Sequence, residues 1–251
     1  MILLVGNWKM APEKPLSALT LFKATAVLAR THKKTLHIAV CPSALHLASL
    51  AKIKSSLSIG TQHVAPTDTI ASTGLVSAAQ AKAAGAMYTL VGHSECRARG
   101  EGNDIVAAQV AQALKAKLIP ILCVGEQSRD AQGWYLSVIK DQIETAFAGV
   151  PKTALKRVVI AYEPVWAIGA TATRQATPLE CREMVIFIRK TLADLYDEKV
   201  ASLVPILYGG SVDEGNACTF IGQGGAQGLL VGRVSLDAKR FKKLADALAV
   251  K

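Results

Sequence analysis

The chain has 251 residues, 51% hydrophobic but only 5% aromatic, and its 29 Lys and Arg against 19 Asp and Glu give a formal net charge of +10. No apolar run reaches the roughly 18 residues of a membrane span. The basic residues are scattered and not interleaved with aromatics, which speaks against a nucleic-acid-binding face.

The five cysteines, Cys41, Cys96, Cys123, Cys181 and Cys218, are odd in number and form no CxxC pair. That pattern argues against a disulfide framework or a zinc site and for a reducing, cytoplasmic setting. His32, His37, His46 and His63 show no ligand spacing. The segment Met1 to Gly6 has neither a basic leader nor a small-residue cleavage site, so it reads as a strand and not as a signal peptide.

In chain order, short apolar runs predict strands at 2–7, 36–41, 57–61, 88–92, 119–124, 157–162, 204–208 and 227–231. Each is Leu-rich or β-branched and ends near Gly, Pro, Asn or a charge. Ala-rich stretches between them carry helical spacing, as at 105–116, 134–147 and 180–195. In the last of these, Met184, Ile186, Ile188 and Leu192 are read as an inward stripe, and Trp134 is read as a packing residue on its helix. Thr177-Pro178-Leu179-Glu180 is a helix start with Thr177 as cap, Pro178 at the first position and Glu180 completing a capping box.

Eight strands alternating with helices, without linker or low-complexity sequence, indicate the α/β class. The expected architecture is one domain over 1–251, a closed (β/α)8 barrel of eight parallel strands with outer helices. An open doubly wound sheet would call for a glycine-rich turn after the first strand, and Asn7-Trp8-Lys9 supplies none.

Residues that do chemistry in such a barrel belong at the C-terminal ends of the strands. Lys9, after strand 1, is suited to hold an anion as a point charge. His93, in Gly92-His93-Ser94-Glu95 after strand 4, would meet backbone N–H groups if a helical turn begins there, which favours the neutral imidazole as a hydrogen-bond donor to a carbonyl. Glu163 follows the apolar run Val159 to Tyr162. A carboxylate there is costly to bury without purpose, and partial burial makes it a more willing proton acceptor. After it, Ala167 to Thr173 is small and polar, with the composition of a lid. Tyr208-Gly209-Gly210-Ser211 and Leu230-Val231-Gly232-Arg233 are glycine turns at strands 7 and 8, where backbone N–H groups can approach a phosphate.

Taken together, Asn7-Trp8-Lys9-Met10, Gly92-His93-Ser94-Glu95, Cys123-Val124-Gly125-Glu126, Ala161-Tyr162-Glu163-Pro164-Val165-Trp166-Ala167-Ile168-Gly169, Tyr208-Gly209-Gly210-Ser211 and Leu230-Val231-Gly232 resemble the triosephosphate isomerase family, in the family's order along the whole chain. The resemblance implies an aldose–ketose isomerase that interconverts dihydroxyacetone phosphate and D-glyceraldehyde 3-phosphate in glycolysis and gluconeogenesis, through an enediolate. Glu163 would be the base and His93 the proton shuttle between oxygens. Lys9 and Asn7 would stabilise developing negative charge, and Glu95 would orient Lys9. Gly169, Ser211, Gly232 and Arg233 would supply phosphate-binding N–H groups, with Asn7 and Lys9 also touching substrate. No metal or cofactor is implied, and no nucleic acid or membrane. A homodimer through the loop around Thr73 is implied. The alternatives are an isomerase of a four-carbon ketose phosphate, with the same machinery and a roomier pocket, and a barrel without catalysis acting as a binding protein.

The chain departs from the family pattern at three places. The lid, Ala170 to Ala176 before Thr177-Pro178, is longer by about two residues than the family's usual lid and lacks a second glycine, so altered closure is expected. Leu75 and Cys96 stand where an acidic residue and an arginine usually face each other across the dimer, and Ala11 stands where asparagine is frequent, which predicts a more apolar interface. Cys96 is also a candidate reactive thiol, being near the catalytic turn. Arg233 replaces a common glycine, and its N–H remains usable if φ stays negative.

Overall fold

The structure is a computed structural model that describes residues 1–169 and 172–249. Eight parallel strands close into a barrel in sequence order. They are β1 (Ile2–Asn7), β2 (Leu36–Cys41), β3 (Ser58–Thr61), β4 (Tyr88–Val91), β5 (Ile119–Val124), β6 (Val159–Tyr162), β7 (Ile206–Tyr208) and β8 (Gly228–Val231). The seam closes between β1 and β8, with Leu3 opposite Gly228 and Gly6 opposite Val231. Gly228 is required there, since a Cβ would sit 2.1 Å from the Leu3 carbonyl oxygen.

Outside lie α1 (Pro15–Thr31), α2 (Ala44–Ala51), α3 (Ala78–Ala83), α4 (Ser94–Arg97), α5 (Asn103–Lys115), α6 (Trp134–Ala146), α7 (Pro178–Leu195), α8 (Glu198–Leu203), α9 (Ala217–Gly222) and α10 (Ala238–Ala249). The capping box at Thr177 forms in both directions, with Glu180 N–H donating to Thr177 and Thr177 N–H donating to Glu180. Among the described residues, no helix is long and apolar enough to cross a membrane.

Two hydrophobic layers follow from the two-residue period of the strands. Leu3, Val5, Ala39, Cys41, Tyr88, Leu90, Ile121, Cys123, Val159, Ala161, Leu207 and Leu230 form the barrel interior. Their alternates, such as Leu4, Ile38, Val91, Leu122, Ile160 and Leu229, pack against the helices. Carrying the inward parity to the ends of β1 and β4 to β8 reaches Asn7, Gly92, Gly125, Glu163, Gly209 and Gly232. On β1 and on β4 to β8 the next layer at the mouth is therefore two polar side chains and four glycines. The glycines leave open space above the packed interior, and the polar side chains border it.

Two details differ from the sequence expectation. Ile186 is 60% exposed, while Cys181, Met184, Val185, Ile188, Thr191 and Leu192 form the buried face of α7. Ile186 lies two residues from both Met184 and Ile188, about half a turn around the helix from each. Trp134 is 71% exposed because it is the first residue of α6, beyond the reach of the barrel wall.

Candidate active site

A cavity of about 740 Å³ opens at the C-terminal end of the barrel, bordered by Asn7, Lys9, His93 and Glu163 and by Gly169, Gly209, Ser211, Gly232 and Arg233. The barrel thus brings residues from the ends of β1, β4, β6, β7 and β8 to a single space. Each is held by a local device.

Lys9 has φ of 51°. This left-handed conformation is costly for a side chain larger than glycine and persists where neighbours hold it. The Asn7 carbonyl oxygen Oδ1 accepts the Lys9 N–H at 3.0 Å, and Gln62 Nε2 donates to the Lys9 carbonyl at 2.8 Å. The bent backbone aims the lysine across the mouth, where its ammonium pairs with Glu95. Burial pushes the Glu95 carboxyl up, but the Lys9 hydrogen bond and charge outweigh it and hold it below the ordinary glutamate range.

His93 caps the short helix α4. Gly92 turns the chain at φ 67°, and Glu95 N–H donates to His93 Nδ1 at 3.2 Å. A ring nitrogen that accepts a backbone N–H carries no proton, so a neutral imidazole holds its proton on Nε2. Nε2 lies 3.3 Å from Glu163 Oε1. Arg97 braces this turn by donating from Nε to the Gly92 carbonyl at 2.9 Å and from Nη1 to Asn103 at 2.6 Å.

Glu163 is 2% exposed. Its Oε2 accepts the Ser94 N–H at 2.9 Å. The glycines around it act by what they lack. A Cβ on Gly125 would lie 1.8 Å from the Glu163 carbonyl oxygen, and one on Gly209 would lie 2.9 Å from Glu163 Cγ. A Cβ on Gly232 would likewise lie 3.3 Å from Lys9 Cε. The turn after β8 therefore rests directly on the lysine.

The residues expected to bind phosphate lie in the turns after β7 and β8 and at Gly169. Ser211 Oγ donates to the Ala167 carbonyl at 2.9 Å, tying the turn after β7 to the base of the lid. Gly232 precedes a 3-10 turn over Arg233–Leu236. Lys9 and Lys117 are the non-glycine residues with positive φ among those described, so Arg233 keeps a conformation in which its N–H is available. Gly169 begins the lid at φ 74°. The expectation of altered closure falls partly on Ala170 and Thr171, which lie outside the described residues. Beyond them Thr173 N–H donates to the Trp166 carbonyl at 2.8 Å, and the Arg174 guanidinium lies 4.2 Å over the Trp166 ring while pairing with Glu180.

Glu126 received no role from sequence reasoning. It is 1% exposed, and Oε1 accepts Tyr162 OH and Trp166 Nε1, each at 2.8 Å, and Arg129 Nε at 3.1 Å. It fixes Trp166, the last aromatic before the lid, to the end of β5. Its signal was the Gly-Glu pair after β5, at the level of the Glu after β6. Cys96 is not a reactive thiol. It is 8% exposed, burial pushes its thiol up, and a thiol held protonated is a weak nucleophile. Cys41 and Cys123 are fully buried in the barrel interior.

The family model described as triosephosphate isomerase matches residues 2–248. The chain belongs to the triosephosphate isomerase family. A protein named triosephosphate isomerase from Roseiflexus sp. (strain RS-1) is 37% identical over 262 residues, covering 99% of this chain and 98% of that protein. One so named from Endomicrobium trichonymphae is 39% identical over 246 residues, covering 96% of each. One from Halorhodospira halophila is 38% identical over 251 residues, covering 98% of each. The matched span therefore includes every strand end that borders the cavity.

Proposed function

We propose that the chain interconverts dihydroxyacetone phosphate and D-glyceraldehyde 3-phosphate. The observation that carries the reading is the convergence of Glu163, His93 and Lys9, from three separate strand ends, on one cavity that the glycine turns after β7 and β8 also line. A chain free of catalytic demand has no reason to hold these three side chains together, one of them in a strained backbone conformation.

In the forward direction the Glu163 carboxylate takes a proton from C1 of dihydroxyacetone phosphate. The C–H electron pair becomes the C1–C2 double bond, and the C2 oxygen gains negative charge. His93 Nε2–H donates to that oxygen, and the same nitrogen takes the proton from the C1 hydroxyl, so the charge moves between oxygens. Glu163 returns its proton to C2, giving the aldehyde. Lys9 beside Gly232 stabilises the enediolate charge. To act, Glu163 must exchange its bond to Ser94 N–H for one to substrate, and substrate oxygen must replace Glu163 at His93 Nε2. The N–H groups of Gly169, Gly232 and Arg233, with Ser211, hold the phosphate, and lid closure excludes water from the enediolate. The enzyme acts in the cytoplasm as one domain.

A homodimer is the working form. Met10, Leu45 and Ile70 are 94%, 90% and 103% exposed and Leu75 is 45% exposed, on loops and a helix start that follow β1, β2 and β3. Those strands are neighbours in the barrel, so the apolar side chains share one flank.

The test is isomerisation of glyceraldehyde 3-phosphate by the wild type and by Glu163→Asp. Strong activity that falls about 100-fold or more in the shortened variant is expected, since roughly 1 Å of misplacement costs that much. Equal activity in both removes Glu163 from the reaction, and none in either removes the reaction itself.

A further inference from the structure

We propose that the Arg233 side chain is a specificity-determining residue that places a positive charge on the phosphate of the substrate, while neighbouring Lys9 serves the enediolate. The inference rests on the phosphate end assigned above. It goes beyond that reading, which uses only the backbone N–H of Arg233.

Three observations carry it. Arg233 is exposed yet borders the same cavity as Glu163 and His93. It directly follows Gly232, whose absent Cβ would lie 3.3 Å from Lys9 Cε, so the arginine leaves the chain next to the lysine. The other two arginines at the mouth are occupied, Arg174 with Glu180 and Arg240 with Glu214 at 3.3 Å. Among the described residues, Arg233 has no hydrogen-bond or ion-pair partner. An uncommitted guanidinium at the cavity mouth can present the planar, two-pronged geometry by which arginine binds phosphate oxygens. Because it stands in the mouth, its charge also adds to the field that draws an anion inward.

A merely structural arginine at this exposed place would leave anion affinity untouched, which gives the test its contrast. Binding of inorganic phosphate, followed by thermal shift and by competitive inhibition, is compared in the wild type, Arg233→Gln and Arg233→Lys. About tenfold weaker phosphate binding is expected in Arg233→Gln, with KM raised by a similar factor while kcat moves much less. Arg233→Lys recovers part of the affinity, since it keeps the charge and loses the fork. The dependence of kcat/KM on ionic strength flattens in Arg233→Gln.

Phosphate affinity equal in wild type and Arg233→Gln overturns the proposal, whatever the activity. A wild type that binds no phosphate overturns it together with the assigned phosphate end. A wild type that binds phosphate through Arg233 but does not isomerise trioses supports the arginine's role while refuting the reaction proposed above.

Discussion

Gly209→Ala tests whether the empty positions at the mouth set the place of the base. Gly209 does not have a positive φ, so alanine meets no backbone penalty there and the effect is steric. The new methyl would lie 2.9 Å from Glu163 Cγ and 3.3 Å from the Tyr162 carbonyl oxygen. Ordinary carbon contacts lie near 3.5 to 4.0 Å, so Cγ must yield by about half an ångström or more. Glu163 has little room to yield, being 2% exposed with Oε2 on Ser94 N–H and Oε1 facing His93. A shift of that size is expected to lower kcat about 10- to 100-fold. Overpacking at this buried place is expected to cost about 1 to 3 kcal/mol of stability. The assay is steady-state isomerisation, paired with urea denaturation to separate the two effects. Gly222→Ala is the control, because its Cβ meets nothing within 4 Å and it sits at the end of α9 away from the cavity. Wild-type kcat in folded Gly209→Ala would refute the claim that the glycine's missing side chain positions Glu163.

Two further outcomes follow from the geometry. The Arg174 hydrogen bond is the main cause that holds the Glu180 carboxyl at about 2 against an ordinary 4.5. A carboxyl lowered on folding contributes stability above its unfolded value and loses it as pH falls toward the folded one. The wild type is therefore expected to melt above Glu180→Gln at pH 7, with the gap closing between about pH 4.5 and about pH 2 in thermal melts; a gap constant over that range contradicts the assignment. Leu75→Lys places a charge in the proposed apolar contact of the dimer, and an unpaired buried charge costs roughly 3 kcal/mol or more, over a hundredfold in dissociation constant. Light scattering across a dilution series is expected to show monomer at concentrations where the wild type is dimeric; a wild type that is monomeric throughout removes the dimer.

The barrel was legible because each strand is a short apolar run bounded by turn residues, and the predicted limits differ from the observed ones by at most two residues at either end. The strand-end positions of Lys9, His93 and Glu163 were legible for the same reason. How they are held was not. The positive φ of Lys9 depends on Gln62, which reaches it from the end of a different strand. Glu126 entered only as part of the run Cys123-Val124-Gly125-Glu126 after β5, with no role, and only closure of the barrel brings Trp166 and Tyr162 to it. Ile186 and Trp134 were misplaced because apolar character alone does not say which arc of a helix, or which end of it, meets the wall. Cys96 lies beside the catalytic turn in sequence, but packing covers its sulfur and Arg99 Nη2 donates to it at 3.1 Å.

In the proposed reaction Glu163 carries one proton between C1 and C2. The most direct measurement of this transfer is deuterium incorporation when dihydroxyacetone phosphate is turned over in heavy water. Deuterium is expected at C2 of the aldehyde product and at C1 of recovered substrate with the wild type, and loss of both isomerisation and exchange with Glu163→Gln. Undiminished exchange with Glu163→Gln, in a variant that remains folded, would contradict it.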